Sequence, residues 1–246
     1  MQERQHYSKA PITEAIIDLR GILPSDITLS NLHGLTSYLE CDYPYRENAV
    51  RVESQVTAGA SVGASANQTQ VGYVYSSDDG KQILNAGLMG FTFSRLAPYD
   101  RWETFRDEAR RLWEIYCQMV RVEKLNRIAV RYINRIDIPL PFDDFKIFLR
   151  TVPEVSPELP QGLSGYFMQL QIPQPDIAAM AVINQAMMPP QIPNSNSISV
   201  ILDIDIFQDQ VMFSTDTFWT SLELLHTKLD TVFEACITDQ TRELIK

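Results

Sequence analysis

Two stretches of this chain carry the same strand pattern 117 positions apart, and that correspondence restricts its possible folds more than any other feature. Residues 126–141 read NRIAVRYINRIDIPLP. With a period of two, Ile128, Val130, Tyr132, Asn134 and Ile136 face one way, while Arg127, Ala129, Arg131, Ile133, Arg135 and Asp137 face the other. This is the signature of a strand with one apolar and one polar face. Pro139 and Pro141 close it, since proline cannot donate to a ladder. Residues 11–24, PITEAIIDLRGILP, alternate and end in the same way, and Leu23-Pro24 falls on Leu140-Pro141. The same offset sets Trp102 on Trp219, Phe105 on Leu222, Leu112 on Leu229, Tyr116 on Phe233 and Val120 on Ile237.

Each half therefore reads β-α-β-β-β-α, the first over residues 1–124 and the second over 125–246. In the first half, alternation predicts strands at 12–23, 51–57, 71–76 and 82–94, with a short helix from Thr28 or Ser30 to about residue 39. Ser77-Asp78-Asp79-Gly80 is the strongest hairpin signal in the chain. Asp100 is in position to cap a long helix over 101–121, with Glu103 completing a capping box. Trp102, Phe105, Ala109, Leu112, Trp113, Tyr116 and Val120 give that helix an apolar face to lay on a sheet. In the second half, a short helix is expected at 142–150 and strands at 166–172, 178–187 and 197–207. A final helix, 218–237, is capped by Asp216 or Thr217. Residues 58–68, 152–162 and 188–196 read as loops, the first a long mobile one. Hairpin-joined strands with helices between them specify an α+β fold with antiparallel sheet. The expectation is one compact pseudo-two-fold unit, its sheet covered by the two long helices.

If the two opening strands pair antiparallel with Ile16 opposite Ile133, Glu14 faces Arg135 and Asp18 faces Arg131. Opposite charges directly across a ladder favour such a register by roughly 0.2–1 kcal/mol each. A competing set of partners for the arginines is Asp203 and Asp205, which share one face of the last strand.

The formal net charge of −10 is unevenly spread. Residues 101–135 hold nine basic and five acidic side chains, and residues 136–246 hold five and fifteen. An acidic surface argues against direct nucleic-acid binding, because phosphate contacts need cationic groups. Arg127, Arg131 and Arg135 could form a local basic stripe, against the plainer reading of a solvated helix face plus a charged strand. No apolar run approaches the roughly 18 residues of a membrane span. The N-terminus lacks the apolar stretch of a signal peptide. Three widely spaced cysteines, Cys41, Cys117 and Cys236, suit a reduced, cytoplasmic protein.

Catalytic signatures are sparse. None of GxSxG, GxxxxGK[ST] or GxGxxG occurs. His6, His33 and His226 lack metal-ligand spacing, so no metal or cofactor is expected, and His226 reads as a packed histidine. Cys117 and Cys236 lie near apolar helix positions and read as structural. Asp203 and Asp205, two residues apart on a strand, resemble the carboxylate pair of some metal-dependent nucleases, but no Lys or further Glu accompanies them at matching spacing. Ion pairing with the arginine strand is the simpler role. Tyr73, Tyr75, Phe91, Phe93, Tyr132, Tyr166 and Phe167 fall on strands and read as the core face under the helices, or alternatively as the lining of a ligand site.

APITEAIIDLRG, FSRLAPYDRWETFRDEARRLWEIY, RIAVRYINRIDIPLP and FEACITDQTRELI together resemble a sporadically distributed prokaryotic family of uncharacterised proteins. RYINR and the SRLxPYxxW segment are the most specific parts of that resemblance, which covers essentially the whole chain. It implies a bacterial or archaeal cytoplasmic protein and brings no catalytic residues. The expected function is that of a non-enzymatic interaction subunit of a prokaryotic multi-protein system, such as anti-phage defence or toxin neutralisation, with a basic protein as partner. The alternatives are a small-molecule or peptide ligand-binding module, and a metal-dependent nuclease-like enzyme using Asp203 and Asp205.

Overall fold

A computed structural model describes residues 7–57, 63–189, 196–209 and 217–246. Its centre is a nine-stranded antiparallel sheet in the order β2-β3-β4-β5-β1-β6-β9-β8-β7. The strands are β1 (Ile12–Ile22), β2 (Tyr45–Thr57), β3 (Gly63–Ser76), β4 (Gln82–Gly87), β5 (Gly90–Leu96), β6 (Lys124–Pro139), β7 (Phe167–Gln174), β8 (Ala179–Met188) and β9 (Ser197–Gln208). The helices are α1 (Leu29–His33), α2 (Thr36–Leu39), α3 (Trp102–Val120), α4 (Phe218–Cys236) and α5 (Asp239–Ile245). The protein is α+β, and none of the described helices is long and apolar enough to cross a membrane.

The two opening strands lie side by side in the middle of this sheet, β1 against β6. Alternation then dictates the layers. One row of opposed residues crosses from β3 to β8 as Tyr75, Leu84, Phe93, Ile17, Val130, Ile206 and Ala181, and all seven are buried. Removing each large apolar side chain of such a row from water contributes roughly 1.5–3 kcal/mol relative to leaving it exposed. Against this face pack α3, through Phe105 on Phe93 and Trp113 on Phe91, and α4, through His226 on Tyr132. The two long helices also touch each other, with Trp113 edge-on to Phe218 and Arg106 paired with Glu223 at 2.6 Å. α1 and α2 bury Leu32, Leu35 and Leu39 next to them.

Several local expectations need correction. The register of β1 and β6 is two residues from the expected one: Ile16 lies opposite Arg131, Glu14 opposite Ile133 and Asp18 opposite Ala129. A slip of two leaves every side chain on its own face, so the apolar alternation could not select between the two registers. Residues 63–68, expected as loop, belong to β3 and pair with β2. The remainder of that loop, 58–62, lies outside the described residues, as do His6, Asp216 and 190–195 of the expected loop 188–196. The run 82–94 divides into β4 and β5, which turn at Leu88 and Met89. The helix expected at 142–150 is a single 3-10 turn, Phe145–Ile147. α3 starts one residue later than Asp100 would cap, from an extended Arg101 with no side-chain cap bond. α5 has no counterpart in the expected pattern. Among the aromatic residues expected under the helices, Tyr75, Phe91, Phe93 and Tyr132 are buried, but Phe167 is 70% exposed on edge strand β7.

Candidate functional site

The face of the sheet opposite the long row carries the charged residues singled out above, and the line where β1 meets β6, the central seam of the sheet, gathers most of them. Asp18 of β1 and Asp205 of β9 flank Arg127 of β6. The Arg127 guanidinium donates to Asp18 through Nη1 and to Asp205 Oδ2 through Nη2, the latter at 2.9 Å, and lies 4.5 Å from the Phe207 ring centre. Asp18 also accepts from Thr92 Oγ1 at 3.0 Å and Arg20 Nε at 3.1 Å. It thereby separates Arg20 and Arg127, which are direct cross-strand neighbours of like charge.

Four residues along β6, Arg131 forms a two-pronged bond to Asp203, with Nε to Oδ1 and Nη2 to Oδ2 both at 2.7 Å. Asn184 Nδ2 donates to Asp203 Oδ2 at 3.0 Å and is itself approached by Gln169. Arg135 is separate, bound to Ser199 Oγ at 2.7 Å, the Pro189 carbonyl at 2.9 Å and Asp137 at 3.3 Å. The expected pairs Glu14–Arg135 and Asp18–Arg131 are not formed. Glu14 makes no ion pair among the described residues and acts on Arg131 only through its more distant charge. Burial raises the Asp205 carboxyl above its ordinary range, against the pull of Arg127 and Arg131. Its Oδ1 is buried and accepts no hydrogen bond among the described residues.

The helix side holds a cleft of about 950 Å³. It opens between the N-terminus of α3, the later turns of α4 and the chain leading into β1. Its aromatic wall has two layers. Trp102 and His226 stack face to face, centroids 4.0 Å apart and planes 4° from parallel. Tyr132 meets His226 edge-on at 5.9 Å, and its hydroxyl shares a 2.7 Å hydrogen bond with Tyr99. Trp102 is held from the far side by a 2.8 Å bond from Nε1 to Glu223. Asn134, on the apolar face of β6, also lines the cleft and is 1% exposed. Its Nδ2 donates to the Leu202 carbonyl at 3.0 Å.

Four carboxylates line this cleft, Asp100, Glu103, Asp230 and Glu234, against two guanidinium groups, Arg101 and Arg242. Arg242 is already bound by Glu234 at 2.8 Å and Asp239 at 2.6 Å. Tyr7 closes one end, donating to Glu234 at 2.6 Å, and burial with that carboxylate pushes its hydroxyl pKa up. Beyond the Tyr99–Arg101 segment a second cleft of about 840 Å³ contains Tyr43, Glu108 and Arg111. Burial alone would raise Glu108, but bonds from Arg111 and Tyr43 outweigh it and hold the carboxyl below its usual range.

The cleft was not legible from spacing, because its walls come from four segments scattered between Tyr7 and Arg242. One signal was present: Asn134 interrupts an otherwise apolar strand face, and a buried polar side chain needs a reason. Among the described residues no three of His, Cys, Asp and Glu are grouped to hold a metal ion. No protein-family model, characterised protein or solved structure matches this chain.

Proposed function

We propose that this chain is a non-enzymatic interaction subunit of a prokaryotic multi-protein system. The observation that carries this reading is Phe167, 70% exposed on β7, at the outer edge of the sheet. Edge strands offer unpaired backbone groups to other chains, and exposed aromatic side chains are the usual anchors of protein interfaces. The strand's entry is fixed. Tyr166 packs on Phe145, and Gln185 ties both the Tyr166 hydroxyl and the Thr151 carbonyl, so the anchor stands on a rigid base. The acidic connector 152–162, with Glu154 and Glu158, and the negative balance of residues 136–246 suit a basic partner.

A structural role for Asp203 and Asp205 is supported over a nuclease-like one, since Arg131 and Arg127 already engage both carboxylates. The resemblance to a prokaryotic family rests on its motifs alone and supplies the setting, a cytoplasmic system such as defence or toxin neutralisation. We also infer that the chain arose by duplication of a β-α-β-β-β-α unit. In support, β1 and β6 open the two halves and meet at the seam, and Trp102 of α3 and Trp219 of α4 each contact the opposite long helix, at His226 and Arg110.

The test is co-expression with the neighbouring genes of its operon. Co-elution of a basic neighbour with the wild type, lost in Phe167→Asp at unchanged thermal stability, is the expected result. Failure of every neighbour to co-elute would sink the proposal.

A further inference from the structure

We propose that the cleft between α3 and α4 is a binding site for a small organic cation bearing N–H donors, an alkylguanidinium or alkylamine. Three independent features point to that chemistry. The first is charge: four carboxylates line the cleft against two guanidinium groups, Arg242, bound by Glu234, and Arg101, 3.9 Å from Asp100, while Asp230 faces His226 at 3.7 Å. An anion entering here would meet a net negative wall, whereas a cation is drawn in. The second is the aromatic wall, where Tyr99, Tyr132 and Phe233 border the Trp102–His226 stack, and aromatic rings attract cations.

The third feature separates kinds of cation. Asn134 is 1% exposed and lines the cleft, and its Nδ2 is committed to backbone carbonyls. Its Oδ1 accepts no hydrogen bond among the described residues. That oxygen is free to accept from a ligand in the cleft, and a ligand N–H would supply the missing donor. A quaternary ammonium has no N–H to give. The site should therefore prefer guanidinium or primary amine over a trimethylated cation of similar size. The volume, about 950 Å³, is ample for a ligand that fits its charged end against Asn134 and its chain along the aromatic wall.

The experiment is isothermal titration of the full-length protein with agmatine, which carries both a guanidinium and an amine without a carboxylate, and with choline. The proposal expects saturable agmatine binding and at least tenfold weaker choline binding. Asp230→Asn should weaken agmatine at least fivefold, and Asn134→Leu should remove most of the preference over choline. Asp230 is 38% exposed and faces His226 Nε2 at 3.7 Å, and the isosteric Asn keeps that packing, so the test stays decisive if Asn134→Leu does not fold. The proposal is overturned by absence of saturable agmatine binding, by choline binding as tightly as agmatine, or by an Asp230→Asn protein that binds agmatine like the wild type. Phe167→Asp should bind agmatine unchanged, so loss of partner and loss of cation binding are read separately.

Discussion

At the scale of single residues, Arg127 is the side chain on which the seam's electrostatics turn. Its guanidinium lies between Asp18 and Asp205, with its own side chain 16% exposed and theirs 19% and 20%. Replacing it by methionine keeps the packing on Phe207 but leaves two carboxylates facing each other in a poorly hydrated place. Breaking a fully buried pair by removing one partner costs about 3–5 kcal/mol, so this partly hydrated one should cost about 2–3 kcal/mol. The sign with pH follows from Asp205, whose folded pKa is raised by burial even with Arg127 present. A carboxyl raised on folding destabilises the fold when ionised, and the penalty fades as pH falls through its folded pKa. Arg127→Met increases that penalty. The deficit against wild type in urea unfolding should therefore be full at pH 7 and shrink towards pH 4.

The cysteines give a second residue-scale expectation. Burial pushes the Cys236 thiol up to about 11, whereas Cys41 is exposed. Thiolates react and thiols do not. At pH 8 a thiol-specific reagent should label Cys41 in the native protein quickly and Cys236 only as the fold opens, and Cys41→Ser should remove the fast phase.

Among the elements, the β2–β3 ribbon joins β4 through a close backbone approach at Gly72. The β2–β3 register shifts where Ala49 pairs with Gly72 and Val50 with Gln70. Beyond that point β3 pairs with β2 alone among the described residues, while Gly72–Ser76 also pair with β4. A Cβ on Gly72 would lie 2.3 Å from the Ala86 carbonyl oxygen and 2.7 Å from Gly87 Cα, both rigid backbone. Gly72→Ala should cost at least the 1–3 kcal/mol typical of an overpacked core, roughly, and lower the midpoint of thermal unfolding accordingly.

Elements of strong period were legible in the sequence: α3 and α4 fall within a residue or two of expectation, as do β1, β8 and β9. What failed had no periodic signal. The stretch 58–68 is small and polar in composition, yet its C-terminal part is held in β3 by cross-strand bonds that composition does not encode. The pairing of the arginine strand with Asp203 and Asp205 was legible and forms as Arg131–Asp203 and Arg127–Asp205, but that of Asp18 was not, since Asp18 reaches Arg127 diagonally rather than across the ladder. Cleft residues such as Trp102 and His226 read as core positions and do pack as such, while also bounding a cavity that only the tertiary fold creates.

At the scale of the whole molecule, a single sheet runs through both halves and the apolar row crosses their boundary without a break. Neither half should then be stable alone, because each would expose the seam strand and the face of its long helix. Residues 1–124 and 125–246 expressed separately are expected to show no cooperative unfolding transition by circular dichroism. Co-expressed, they should recover one if the seam pairing is sufficient to reassemble the sheet.

The central placement of β1 also bears on how the chain is made. On a translating ribosome, β1 emerges before the other strands of this sheet, finds β5 only after some seventy residues, and keeps its other edge open until β6 follows more than a hundred residues after β1 began. During that interval the nascent first half presents Ala15, Ile17 and Leu19 along a bare edge, the kind of surface that invites strand exchange between neighbouring chains. Slow synthesis through residues 100–124 would lengthen this exposure, and a chaperone acting on this protein would be needed most while its middle is being translated.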